Sequence, residues 1–398
     1  MMEEQKVTIK SKYANRLDGG YPLLLKEAIV NIHELKEEGT VLKLVDEKGR
    51  FLGKGYYGIQ NKGYGWVLTR KDEPVDFSFF ERKIKSAIQA RQSFFDDPNT
   101  NAFRLVNGEG DGIGGVTIDY FNGYLLINWY SEGIFRFKEP ILEALKNSLE
   151  FKGIYEKKRF DQKGQYIDDD DFVLGERAQF PIVVQENGVH FAIYLNDGAM
   201  VGVFLDQREV RKSIRDQFAA GKTVLNTFSY TGAFSVFAAL GGAPKTTSVD
   251  LANRSHSKTI EQFSLNEIDY EAHEIRVMDV FNYFKYAVRK NIKFDMVILD
   301  PPSFARSKKH RFSVAKGYKD LLKEAIAITE DDGIIVASTN YAGFNMKKFK
   351  SFVEKAFKEM NGTYKIIQEH SLPDDFKTIP EFPEGDYLKV LFIKKIKG

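Results

Sequence analysis

From Thr223 onward the chain repeats one pattern, a short run of apolar and β-branched residues followed by a stretch with helical spacing. In order the runs are TVLNTF, TTSVDL, EIRVMD, FDMVILD, GIIVASTN, YKIIQEH and YLKVLFIKK. Strands that alternate with helices pair in parallel and are covered on both faces, so the pattern predicts a mostly parallel, doubly wound α/β sheet of seven strands. No crossover with strong helical periodicity separates the last two runs, which predicts an antiparallel final strand. A hairpin, FPIVVQENGVHFAIYL, leads into this region and turns at Asn187-Gly188.

At 398 residues the chain is too long for one ordinary core. Residues 1–75 read as a small β-barrel-like domain built from VTIK, TVLKLVDEKGRFLGKGYYG and GWVLTRK, with a helical stretch PLLLKEAIV between the first two. The next stretch, VDFSFFERKIKSAIQARQSF, sets Phe80, Ile84, Ala87, Ile88 and Arg91 along one helical face. It opens a central α+β domain over residues 76–180. There GVTIDYF and GYLLINWY form a hairpin at Asn122-Gly123, KEPILEALKNSLE a helix and FKGIYEKKRF a strand. The acidic run Asp168–Asp171 reads as a solvated loop rather than a metal site. Residues 181–398 form the third domain.

Several functions are excluded early. Lys and Arg number 58 against 56 Asp and Glu, so attraction to a polyanion must come from local patches. There are no cysteines, which removes disulfides, thiolate metal sites and thiol nucleophiles. The histidines at 33, 190, 256, 273, 310 and 370 show no metal-ligand spacing, so no metal is expected. MMEEQKVTIK has no apolar leader and no run is long enough to span a membrane, so the expected compartment is the cytoplasm.

In a doubly wound sheet, ligands sit outside the carboxyl ends of the strands. The first strand leads through Asn226 into a turn, Ser229, Tyr230, Thr231 and Gly232, that holds one glycine. A dinucleotide wants several glycines for its pyrophosphate, whereas S-adenosylmethionine (SAM) needs one close backbone approach and donors for its amino-acid end. The second strand ends at Asp250, 18 residues past Gly232, near the spacing of about 20 that brings a carboxylate to ribose hydroxyls, with Leu251 following. The third ends at Asp279, placed to accept from an adenine amino group, with Val280 and Phe281 to flank the ring. Singly, each acid reads as well as a turn former or helix cap. Together they favour a nucleoside ligand.

The fourth strand ends in Asp300-Pro301-Pro302-Ser303-Phe304. Two prolines stiffen the turn and expose carbonyl oxygens without competing donors, which suits the edge of a planar base, with Phe304 for its face. Arg306, Lys308, Lys309 and Arg311 follow, a cluster suited to the phosphate backbone that delivers the base. The bland alternatives are an ordinary rigid loop and a solvated charge run.

These motifs resemble the SAM-dependent ribosomal RNA methyltransferases that carry an N-terminal PUA domain. GRFLGKGYYG with EPVDFSFFERKIKSAIQAR, FRLVNGEGDGIGGVTIDYF, FLDQREVR, VLNTFSYTGAFSV, DPPSFARSK and STNYAGF match in order over nearly the whole chain. The resemblance implies a Rossmann-like class I methyltransferase domain behind a PUA-like domain and a central RNA-binding domain. It further implies a large-subunit rRNA substrate, SAM as cofactor and S-adenosylhomocysteine as product. Phe204, Asp206, Gln207 and Arg208 are implied to lie by the cofactor, with Arg208 a candidate for its carboxylate. The chain departs from the family in two places. LDGGYPLLL stands where many members have a His, Pro, Trp and Phe run. Ser338-Thr339-Asn340-Tyr341 ends the fifth strand where cytosine-C5 members use cysteine.

Carbon 5 of cytosine is a poor nucleophile until a thiolate adds to the ring, and an unactivated hydroxyl does not replace a thiolate at neutral pH. A base nitrogen such as guanine N7 attacks a methyl sulfonium directly and needs mainly positioning. The expected reaction is therefore methyl transfer to a base nitrogen of rRNA, with Asp300, Pro301, Pro302 and Phe304 placing the base. Cytosine-C5 methylation, an RNA- and SAM-binding protein without chemistry, and a nicotinamide oxidoreductase are the alternatives. The single-glycine turn speaks against the last.

Overall fold

The computed structural model describes residues 4–60, 63–160, 171–198, 200–306 and 311–397. The chain forms two compact units. The first comprises Met1–Gln185, Ile193–Val201 and Asp374–Gly385; the second comprises Glu186–Ala192, Gly202–Pro373 and Asp386–Gly398.

The first unit holds two five-stranded sheets. One has the order Glu4–Ile9, Val41–Asp46, Phe51–Gln60, Gly63–Thr69, Leu23–Leu25. Here the expected helix over PLLLKEAIV is replaced by the short strand Leu23–Leu25 and a 3-10 turn at Lys26–Ala28. The strand is held by tertiary pairing, with Leu23 opposite Trp66, the Val67 N–H donating to Pro22 O at 2.7 Å and Leu24 fully buried. Packing against a sheet outweighs the local helical propensity of such a segment. The helix of this region is instead Ser11–Asp18.

The second sheet runs Phe172–Gly175, Gly153–Lys158, Tyr124–Trp129, Val116–Phe121, Ala102–Asn107. Its central hairpin turns at Asn122 and Gly123, both left-handed at φ 48° and 93°, as a type I′ turn requires. The helices Phe77–Ala90 and Lys138–Ser148 bury Phe79, Phe80, Ile84, Ile141 and Leu145 in the same core. Asp76 starts the first of them by accepting from the Phe79 N–H at 3.1 Å. Asp168 to Asp170 of the acidic run lie outside the described residues. Asp171 departs from the solvated loop expected of it, for it is buried and paired with the buried Lys157 ammonium.

The second unit carries the seven-stranded sheet. Its strands are β1 (Thr223–Thr227), β2 (Lys245–Asp250), β3 (Glu274–Val277), β4 (Phe294–Leu299), β5 (Thr329–Thr339), β6 (Thr363–His370) and β7 (Lys389–Ile396), in the order β3-β2-β1-β4-β5-β7-β6. The first five pair in parallel and β7 lies antiparallel between β5 and β6, as expected. Helices α1 (Ala233–Leu240), α2 (Arg254–Leu265), α3 (Val280–Arg289), α4 (Val314–Ile328) and α5 (Met346–Glu359) follow β1 to β5. One apolar layer gathers Leu225, Val297, Leu299, Tyr318 and Phe349, the other Val224, Met296, Ile298, Val336 and Phe392. The chain order reverses between β1 and β4, so the crevice at their carboxyl ends is the place for a ligand.

Candidate functional site

The loop after β1 is bent by backbone geometry that side chains ordinarily avoid. Phe228 and Tyr230 have φ of 54° and 53°, and Gly232 follows at 80°. Left-handed backbone costs a non-glycine residue about 1–2 kcal/mol, and such conformations persist where surroundings hold them. Here the Ser229 N–H donates to Val249 O at 3.1 Å, the Gly232 N–H to Ser229 O at 2.8 Å and the Thr231 hydroxyl to Gly202 O at 2.7 Å. The Tyr230 N–H donates to Asp250 Oδ2 at 2.9 Å, while Asp250 Oδ1 accepts from the Ala252 N–H at 2.8 Å. Asp250 thus ties the end of β2 to the turn after β1. Leu251 beside it is more than half exposed. Phe204, also exposed, lies with its ring centroid 5.4 Å from that of Tyr230.

At the ends of β4 and β5 three polar groups meet. The Gln207 amide donates to Asp300 Oδ1 at 3.1 Å and to Ser338 Oγ at 2.8 Å. Burial pushes the Asp300 carboxyl up to about 6, with nearby Asp206 adding to the rise and the Ser338 hydroxyl and Arg211 opposing it. Beneath, the Tyr318 hydroxyl donates to Ser338 O at 2.7 Å. Gln207 Oε1 is buried and has no hydrogen-bond partner among the described residues. A buried acceptor without a donor costs about 1–3 kcal/mol, so this atom suits a ligand N–H.

Pro301 is buried and Pro302 exposed, and the Ser303 hydroxyl donates to Asn340 Oδ1 at 2.7 Å. Phe304, 69% exposed, meets the edge of Tyr341 at 6.4 Å between centroids. The stretch then forms a two-stranded ladder, Phe304–Arg306 against Arg311–Ser313, that sets the backbone of Arg306 opposite that of Arg311. Lys308 and Lys309 lie outside the described residues.

Other expected residues are engaged inside the protein. Asn226 is fully buried and its amide donates to Ser235 Oγ at 3.0 Å, which in turn is 2.7 Å from Ser248 Oγ. Asp279 Oδ1 caps α3, accepting from the Phe281 and Asn282 N–H groups at 2.9 and 3.2 Å. Val280 is buried in the core layer, whereas Phe281 is half-buried with Phe228 edge-on at 6.2 Å. Asp206 accepts from the Tyr387 hydroxyl at 2.9 Å, and Arg208 is buried with Nε 3.6 Å from Glu209 Oε1. Gly232 has a steric reason beyond its φ, since a Cβ there would stand 2.6 Å from Thr259 Cγ2 of α2.

Sequence reasoning passed over Phe228, Ser338 and the pair of Arg211 and Glu186. The Arg211 guanidinium donates to both Glu186 oxygens at 2.7 Å and to Phe204 O at 2.8 Å. Arg211 stood one turn past Arg208 in FLDQREVR and was legible there, but nothing in QENG marked Glu186. Ser338 lay in view as the hydroxyl residue ending β5.

A strained turn after β1, an acid closing β2 and a polar node where β4 and β5 end, on a sheet with an antiparallel seventh strand, define a class I methyltransferase. Comparison with known proteins agrees. Residues 111–387 match the S-adenosylmethionine-dependent methyltransferase family and residues 7–70 a PUA-like domain. The chain belongs to the S-adenosylmethionine-dependent methyltransferases. It is 62% identical over 392 residues, covering 98% of this chain and 99% of the relative, to the Bacillus subtilis protein named "Putative ribosomal RNA large subunit methyltransferase YwbD". To ribosomal RNA large subunit methyltransferase I of Alteromonas mediterranea it is 31% identical, over 93% and 94% of the two chains. The crystal structure of SMU.776, described as "a putative methyltransferase complexed with SAH", superposes with a TM-score of 0.91 at 38% identity, covering 99% of this chain and all of that one.

Proposed function

We propose that this enzyme methylates a base of large-subunit ribosomal RNA at a ring nitrogen such as guanine N7. The observation that carries the atom is chemical: the site presents Asp300, Gln207 and Ser338, and the chain has no cysteine to activate carbon 5 of a pyrimidine. The relatives' names support the substrate.

Bound SAM supplies an electrophilic methyl group, which passes to the base nitrogen's lone pair as the carbon–sulfur bond breaks and S-adenosylhomocysteine leaves. The residues present fit such a cofactor. The Ser229–Thr231 turn brings backbone to the crevice, Asp250 closes β2 beside that turn as the candidate for the ribose hydroxyls, and Gln207 Oε1 offers a buried acceptor. Phe204, Leu251 and Phe281 supply apolar surface for the adenosine. Asp300 accepts from an N–H of the target base, Pro301 and Pro302 hold that turn rigid, and Phe304 stacks on the base. Arg306 and Arg311, with Lys308 and Lys309, meet the RNA backbone. The assignment divides the labour among residues 1–75 and 76–180, which grip RNA, and 181–398, which carry the chemistry.

The test incubates the protein with methyl-labelled SAM and large-subunit rRNA from a strain lacking the gene, followed by nucleoside mass spectrometry. The expected product is 7-methylguanosine or another N-methylated base; 5-methylcytidine overturns the mechanism. Asp300→Ala is expected to abolish transfer and leave SAM affinity nearly unchanged, and undiminished turnover would remove Asp300 from the site.

A further inference from the structure

Two bridges join the ends of β4 and β5. The inner one is the Gln207, Asp300 and Ser338 node. The outer one is Ser303 to Asn340, three residues past Asp300 and two past Ser338, beside the exposed ring of Phe304. Asn340 is exposed, yet its amide has a defined direction because the Ser303 hydroxyl donates to its Oδ1. An amide held by its oxygen turns its NH2 the other way, and Nδ2 has no hydrogen-bond partner among the described residues. The mouth of the site therefore presents two oriented donors next to an aromatic face.

From this arrangement, and resting on the reading above that the target is a base nitrogen, we infer that Asn340 selects the base by donating to guanine O6, with Ser303 as the residue that positions it. Guanine carries two acceptors, O6 and N7, on the edge to be methylated, whereas adenine puts an amino donor where O6 would be. A fixed NH2 pairs with the first and opposes the second. Held at O6 by Asn340 and at an N–H by Asp300, the base cannot rotate in its plane, so N7 is kept in line while Phe304 fixes the ring's height. A site built to hydrogen-bond one substrate group rejects analogues lacking it more strongly than a merely apolar pocket does.

The test compares guanine with 2-aminopurine, which keeps N7 and the 2-amino group but lacks O6, at the target position of the rRNA substrate. Wild type is expected to lose roughly 10- to 100-fold in kcat/KM when O6 is removed. Asn340→Ala is expected to be slow on guanine and to lose nothing more on 2-aminopurine. Any change in N7 nucleophilicity is common to both enzymes and cancels in the ratio. Asn340→Asp keeps the bond from Ser303 and reverses the remaining hydrogen-bonding sense, so it is expected to lose guanine activity with melting temperature and SAM affinity unchanged. If Asn340→Ala is as sensitive to O6 as wild type, the residue only braces the loop and the inference fails while the methyltransferase reading stands. If wild type methylates a nitrogen of another base and no guanine, the inference fails and the reading above stands; if it methylates no base nitrogen, both fail.

Discussion

Asp300 brings a cost that can be measured without substrate. Its carboxyl moves from 3.8 in an unfolded chain to about 6 in the folded one, because burial disfavours the charge. The folded state then holds its proton more tightly, so stability falls as pH rises between those values and stays lowered above about 6. The difference amounts to roughly 3 kcal/mol. Asp300→Asn is therefore expected to melt at a higher temperature than wild type at pH 8 and to match it near pH 4, by thermal unfolding across that range. Equal melting curves at pH 8 would show that the carboxyl is better solvated than the structure indicates. Residue by residue, the sequence was most telling where chemistry demands a rare arrangement, as in Asp300-Pro301-Pro302. It was least telling where one side chain type serves two ends. Asp279 and Asp250 look alike after a strand, yet one spends Oδ1 capping α3 and the other ties two loops together. Asn226 and Val280 are buried in the protein, which apolar patterning at a strand end does not resolve.

At the scale of elements, the turn from Phe228 to Gly232 shows what the order of strands and helices left out. The single glycine predicts a close backbone approach there, and in the structure α2 closes on it through Thr259. Gly232→Ala must both hold φ at 80° and move a side chain 2.6 Å away, so a loss of about 2–4 kcal/mol is expected in urea unfolding. Thr259→Ala in the same chain should restore only the steric share, and full recovery would mean that the backbone angle is cheap here. The hairpins at Asn122-Gly123 and Asn187-Gly188 were readable because both positions need left-handed backbone, which those residues tolerate. Leu23–Leu25 was not, since its strand exists only through pairing with the distant Gly63–Thr69.

For the whole molecule, seven strands in the expected sense followed from periodicity, while the way segments are shared between the units had no local signal. Asp374–Gly385 comes late in the chain and belongs to the first unit. There the buried Arg91 guanidinium donates to Asp375 O at 2.6 Å while pairing with Asp111, and the Arg104 N–H donates to Asp375 Oδ2 at 2.8 Å. A fragment ending at residue 180 lacks those acceptors, and stranding buried donors costs about 1–3 kcal/mol each. It is expected to unfold well below the intact chain's first thermal transition; a fragment as stable as the whole would make the return segment dispensable. The same segment sets a timetable during synthesis. A chain made from its amino end can pair Arg91 with Asp111 early, but the Asp375 acceptors are translated only after residues 202–373 of the second unit. The first unit therefore gains its last acceptors only once residues 374–385 have been added, behind most of the second unit's sequence rather than at its own place at the front of the message.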